Sequence, residues 1–144
     1  MLRVDHIGVV VDDLDAVTDF FVALGFELEN RWSADGEELG QIVGLSGART
    51  EAAMVRAPDS SGKLELVKFV TPADAEGVPA AQPANRLGFR HIAIEIKDLA
   101  TVVDGLRGQG FATVGEVVDF AGSYRLCYVH GPEGLIVELA EKLT

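Results

Sequence analysis

Leu2-Arg-Val-Asp-His-Ile-Gly-Val-Val-Val-Asp-Asp-Leu14 opens the chain, and Phe89-Arg-His-Ile-Ala-Ile-Glu-Ile-Lys-Asp-Leu99 restates it in the second half. Each copy is a strand-like run with a histidine near its start, followed by Asp-Leu and a helical pattern. The helical stretches close alike, at Gly25-Phe26 and at Gly110-Phe111. A repeat of this length outranks every local signal, because it decides the architecture. The chain reads as one module written twice, with His6 and His91 at equivalent places.

Outward from the first copy, Arg3–Val11 alternates and is β-branched, which predicts a strand. Val4, His6, Gly8 and Val10 fall on one face, and Asp5, Ile7, Val9 and Val11 on the other. Asp12 or Asp13 caps a helix whose Leu14, Val17, Phe20 or Phe21, and Leu24 form one apolar stripe. That stripe is expected to cover the Ile7/Val9/Val11 face and leave the His6 face open. Gly25 ends the helix as a left-handed cap. Phe26–Trp32 is a second strand, and Ser33–Ser46 holds an Asp35-Gly36 turn and a short helix or loop at Leu39–Val43. Arg49–Ala57 is a third strand, Pro58–Gly62 a turn, and Lys63–Val70 a fourth strand.

Pro72, Pro79 and Pro83, set among alanines, make residues 71–87 an extended linker. The second module repeats the order: a strand over Phe89–Ile96, a helix over Leu99–Leu106, strands over Ala112–Phe120 and Tyr124–His130, a hairpin turn at Gly131–Gly134, and a last strand over Leu135–Glu141. The predicted fold is α+β, with β-α-β-β-β modules at residues 1–70 and 88–144.

The chain has 144 residues, 48% of them hydrophobic and 24% charged, which suits one domain or two small modules. No apolar run approaches the ~18–20 residues of a membrane span, and the N-terminus has no signal-peptide shape. A net charge of −11 without a basic run argues against nucleic acid as a partner. The single cysteine, Cys127, forms no disulfide within one chain. The expected compartment is the cytoplasm.

Chemistry concentrates at four repeat-equivalent positions. His6 and His91 lie in the first strand of each module. Glu65 (Leu64-Glu-Leu66) and Glu138 (Val137-Glu-Leu139) lie in the last. Any one of them alone is an ordinary strand residue. Together, carboxylates set in apolar runs need a partner, because a buried unpaired charge is costly. Two imidazoles and two carboxylates form a mixed ligand set suited to Zn, Ni, Co, Mn or Fe, with room for substrate or water.

On these residues the chain resembles the vicinal oxygen chelate superfamily, which includes glyoxalase I, methylmalonyl-CoA epimerase, extradiol dioxygenases, and fosfomycin- and bleomycin-resistance proteins. The closing Gly131-Pro-Glu-Gly-Leu-Ile-Val-Glu-Leu139 is the most specific stretch. The resemblance implies an incomplete barrel per module with a divalent metal held by His6, Glu65, His91 and Glu138. It also implies a homodimer, in which His6 and Glu65 of one subunit can meet His91 and Glu138 of another. The activity it implies is a glyoxalase-like isomerase or lyase acting on a small oxygenated substrate, with Glu138 first and Glu65 second as general base. The alternatives are an antibiotic-sequestering protein and an Fe(II) extradiol dioxygenase. The dioxygenase is weakened because only His130 remains as a further histidine. Glu65 departs from epimerase-like members, which often carry Gln there.

Lesser candidates surround this set. Cys127 or Tyr128 stands opposite Glu138, depending on a one-residue register. Tyr124 and Arg125 suit an anionic substrate, and Trp32, Phe69 and Phe89 suit an apolar pocket. Glu37 and Glu38 are candidate second bases on the loop.

Overall fold

Both halves of the chain turn the repeated pattern into the same four-stranded mixed sheet, in a computed structural model that describes residues 1–144. The first half contains β1 (Ile7–Val10), α1 (Leu14–Leu24), β2 (Glu27–Ala34), α2 (Glu37–Val43), β3 (Arg49–Arg56) and β4 (Lys63–Thr71). The second contains β5 (His91–Glu95), α3 (Leu99–Gly108), β6 (Val118–Phe120), β7 (Tyr124–His130) and β8 (Ile136–Lys142). The strand orders are β1-β4-β3-β2 and β5-β8-β7-β6. In each sheet the first and last strands pair in parallel and the other pairs are antiparallel. Neither sheet closes on itself, so each stays an open, partial barrel wall, as an α+β fold of two equivalent modules requires. The chain divides into compact units at Met1–Val78 and Pro79–Thr144.

Periodicity explains each unit's core. In α1 the Asp13 carboxylate accepts the Ala16 backbone N–H at 3.0 Å, and Gly25 closes the helix at φ +117°. Between these caps, Leu14, Val17, Phe20 and Phe21 are buried. Phe21 packs edge-on against Phe20 and Phe26, with ring centroids 5.2 and 5.5 Å apart. Across from the helix, Ala53, Val55, Leu64 and Leu66 are buried on β3 and β4. In the second unit, Leu99, Val103 and Leu106 of α3 are buried, as are Cys127, Val129, Val137 and Leu139. Full burial of a Leu or Val side chain contributes about 1.5–3 kcal/mol.

Several boundaries differ from the sequence reading. The helix-covered face of β1 is a gradient: Val11 is buried, Val9 half-buried and Ile7 exposed. β1 is an edge strand, and α1 sits over the central β3 and β4. The first strand begins at Ile7, so His6 immediately precedes it. Residues 33–46 contain the end of β2 and the helix α2, closed by Gly44 at φ +74°. The long strand expected over Ala112–Phe120 shrinks to Val118–Phe120, with Thr113 bridging Val129 on its own. The chain bends at residues 114–115, between that bridge and the β6 pairing. The hairpin turn at Gly131–Gly134 contains one 3-10 turn, Pro132–Gly134. Gly134 has φ +75°, and a Cβ there would lie 3.0 Å from the Ala80 carbonyl oxygen. No helix is long and apolar enough to cross a membrane.

Candidate metal-ligand pairs

The same register places a histidine beside a glutamate in each unit. β1 runs parallel to β4 with Gly8 opposite Glu65, and β5 runs parallel to β8 with Ala93 opposite Glu138. His6 stands two residues before Gly8, and His91 two residues before Ala93. Two residues along a strand return the side chain to the same face, so each imidazole leans along the open face towards the carboxylate. His6 Nε2 lies 3.8 Å from Glu65 Oε2, and His91 Nε2 lies 3.3 Å from Glu138 Oε1.

Alternation also explains why the carboxylates are not in the core. Leu64 and Leu66 flank Glu65, and Val137 and Leu139 flank Glu138; all four neighbours are buried on the helix side. The glutamates therefore point to the opposite, open face, where their side chains are 26% and 21% exposed. The sequence reading, which set them in buried runs, is corrected by this two-residue period. Partial solvation lowers the cost of the charges and leaves both pairs accessible to a ligand.

The surroundings of the two pairs differ. His6 Nδ1 is 2.7 Å from the Asp5 carboxylate, which also takes a hydrogen bond from Arg3 at 2.9 Å. Hydrogen bonding to His6 and then to Arg3 holds the Asp5 carboxyl below its usual range. In the second unit the residue before the histidine is Arg90. There Tyr128, not Cys127, is the cross-strand partner of Glu138. The Tyr128 ring lies 4.8 Å from the His91 ring, centroid to centroid, and beside Glu138 across the ladder. Burial first, and then the Glu138 charge, raise the Tyr128 pKa and keep the phenol protonated as a donor. The first unit's counterpart, opposite Glu65, is Met54.

The remaining candidates have other places. Cys127 is buried on the helix side, and burial pushes its thiol pKa up. Arg125 is held by Asp119 at 2.8 Å and faces Glu141 at 3.7 Å. Tyr124 pairs with Lys142 across the ladder. Glu37 and Glu38 are exposed in the first turn of α2. His130 ends β7, and its buried Nδ1 has no hydrogen-bond partner. Phe89 is exposed and Phe69 half-buried. Trp32, together with Glu29, Asn30, Met54 and Lys63, lines an open depression of about 470 Å³. Met54 thus connects this depression to the Glu65 ladder position. No group of three or more His, Cys, Asp or Glu side chains is placed to hold a metal ion.

The model of the Glyoxalase/Bleomycin resistance protein/Dioxygenase superfamily matches residues 5–128. Among solved structures, a glyoxalase family protein from Bacillus cereus is 37% identical, covering 100% of this chain and 96% of its own, with a TM-score of 0.90. The trypanothione-dependent glyoxalase I of Leishmania major is 21% identical over 98% of this chain and 87% of its own, with a TM-score of 0.67. A genomically encoded fosfomycin resistance protein from Listeria monocytogenes is 16% identical over 96% of this chain and 92% of its own, with a TM-score of 0.59. These last two likenesses speak to the fold alone. A search of the curated proteins found no match.

Proposed function

This chain belongs to the Glyoxalase/Bleomycin resistance protein/Dioxygenase superfamily, and from that membership we propose that it is a metal-dependent isomerase or lyase acting on a small oxygenated substrate. The observation that carries the reading is the duplicated pair, His6 with Glu65 and His91 with Glu138, built by one register in both units.

The donor set fits a divalent metal. Two ligand atoms bound at ~2.0–2.2 Å in a tetrahedral arrangement stand about 3.3–3.5 Å apart. The His91–Glu138 separation of 3.3 Å meets that figure, and the 3.8 Å of His6–Glu65 needs only a small side-chain adjustment. Zn, Ni, Co, Mn and Fe all accept such nitrogen and oxygen ligands. When bound, the metal supplies Lewis-acid stabilisation of negative charge on the substrate oxygens.

The protein's own groups do the rest. The imidazoles present Nε2 and the carboxylates one oxygen each. A carboxylate, Glu138 or Glu65, accepts the proton from the carbon next to the substrate's oxygens and returns it to the neighbouring carbon or the opposite face. The open faces of the two sheets and the Trp32/Met54 depression offer room for a small molecule. In this reading His6, Glu65, His91 and Glu138 are all metal ligands.

A second reading, sequestration of a small natural product without turnover, draws support from the same Trp32/Met54 depression. Binding of a drug that persists unchanged after chelation favours this reading over the enzyme.

Metal analysis by mass spectrometry, on untagged protein purified without chelators, tests the proposal. About one equivalent of divalent metal per site in the wild type, lost in His6→Ala/His91→Ala, is the expected result. Protein that is metal-free and refuses added metal overturns it.

A further inference from the structure

The two His–Glu pairs share a register and differ in what stands beside the glutamate. We propose that Tyr128 is a positioning residue that pins Glu138 and His91 as a fixed pair, leaving Glu65 as the carboxylate free to move. The inference rests on the four-ligand reading above and adds a division of labour to it.

Three observations carry it. First, Tyr128 lies directly across the β7/β8 ladder from Glu138 and packs its ring against His91. One rigid aromatic side chain thus stands beside both members of the second pair. Second, the equivalent ladder position in the first unit holds Met54, whose thioether has no proton to donate and whose chain is flexible. Third, the pair distances follow the bracing: 3.3 Å where the phenol is present and 3.8 Å where it is not. Outer hydrogen bonds to a ligating carboxylate fix its orientation and tighten metal binding.

The consequence is a choice between the two candidate bases. A carboxylate beside a phenol across the ladder has its rotamer restricted. Glu65, with no donor opposite it in the ladder, is the one suited to swing to a substrate carbon. There the C–H bond breaks as an O–H bond forms on Glu65, and the same proton is later delivered back to carbon. The reaction balances as a proton transfer with no oxidant or further reactant. This reverses the preference for Glu138 that position in the sequence alone suggests.

The test uses the full chain and reads two properties other than turnover. In metal-free protein, carbon-13 relaxation of labelled glutamate side chains is expected to show Glu138 more ordered than Glu65. Tyr128→Phe, which removes only the hydroxyl, should bring Glu138 down to the Glu65 level. In competition with a chromophoric chelator, zinc affinity should fall about 10–100-fold in Tyr128→Phe, with thermal unfolding little changed. Tyr128→Met, which copies the first unit, should behave the same way and guards against an idiosyncratic effect of either variant. Equal order at Glu138 and Glu65 in the wild type overturns the proposal, as does a Tyr128→Phe zinc affinity within twofold of wild type. Wild-type protein that takes up no zinc while Glu138 stays the more ordered side chain breaks the four-ligand reading and keeps the brace.

Discussion

The Asp5 carboxylate lies 2.7 Å from Nδ1 of His6, at the ring edge opposite the nitrogen that faces Glu65. A carboxylate in that place keeps a proton on Nδ1 and leaves the Nε2 lone pair free, which is the tautomer a metal ligand needs. Asp5 is exposed, so its role in the fold is small. Asp5→Asn should therefore weaken zinc binding about 10–100-fold while leaving the urea midpoint unchanged. A chelator competition titration reads the first and equilibrium unfolding the second. Wild-type affinity in Asp5→Asn would remove Asp5 from the site.

Leu66 and Leu139 follow the two glutamates and are both fully buried, at 0% exposure. They occupy the same place in the two modules, under α1 and α3. Truncating either to alanine removes the transfer energy of the side chain and leaves a cavity. Leu66→Ala and Leu139→Ala should each cost about 2–5 kcal/mol in urea unfolding. If the units unfold separately, each variant shifts only its own transition; a single shared shift would show that they unfold together. A cost below 1 kcal/mol at either site would contradict the packing described for that unit.

How much of this was legible in the sequence follows from which signals are local. The repeat, the apolar stripe of α1, the Asp13 cap and the Gly25 close are local patterns, and each appears in the structure where the residues put it. His6, Glu65, His91 and Glu138 stood out because polar residues interrupt apolar runs at repeat-equivalent places. What the sequence did not carry is set by pairing partners far along the chain. Whether Cys127 or Tyr128 faced Glu138 depended on a register that the Gly131–Leu135 turn decides. Most of the Ala112–Phe120 strand gives way to a bend at residues 114–115, between the Thr113–Val129 bridge and the Val118–Leu126 pair. The Asp5–His6 contact joins adjacent residues, and a carboxylate next to a candidate ligand histidine was a signal available to read.

Glycine positions separate backbone demand from habit. Gly134 has φ +75°, and a side chain there would meet the Ala80 carbonyl oxygen at 3.0 Å. Gly134→Ala should destabilise by at least about 1–2 kcal/mol from the left-handed conformation alone. Gly8 is the contrast: it lies within β1, has no positive φ, and a Cβ would meet nothing within 4 Å. Gly8→Ala should be neutral or gain about 0.4–1 kcal/mol by restricting the unfolded chain. Urea unfolding of the two variants side by side checks both signs. A destabilised Gly8→Ala would mean that the open face near Glu65 is more crowded than the geometry shows.

Cys127 gives the protein an alkaline limit. It is 4% exposed on the helix side of β7, and burial raises its thiol pKa above the ordinary 9.0. The raised value means that the folded state holds the proton more tightly than the unfolded state. Its contribution to stability is then fully present below pH 9.0 and is lost as pH rises through the folded value. Tyr128 adds to the same trend from 10.0 upward, because burial and the Glu138 charge also raise its pKa. Stability by urea unfolding should therefore decline above pH 9. Cys127→Ala should have a shallower decline over the first part of that range and keep the Tyr128 part. Comparing slopes rather than absolute stabilities removes the cost of the smaller side chain. The same burial predicts that native protein at pH 8 reacts with a thiol-specific reagent far more slowly than urea-unfolded protein. Rapid native labelling, together with a pH slope unchanged by Cys127→Ala, would show that the thiol is reached by solvent and carries none of this dependence.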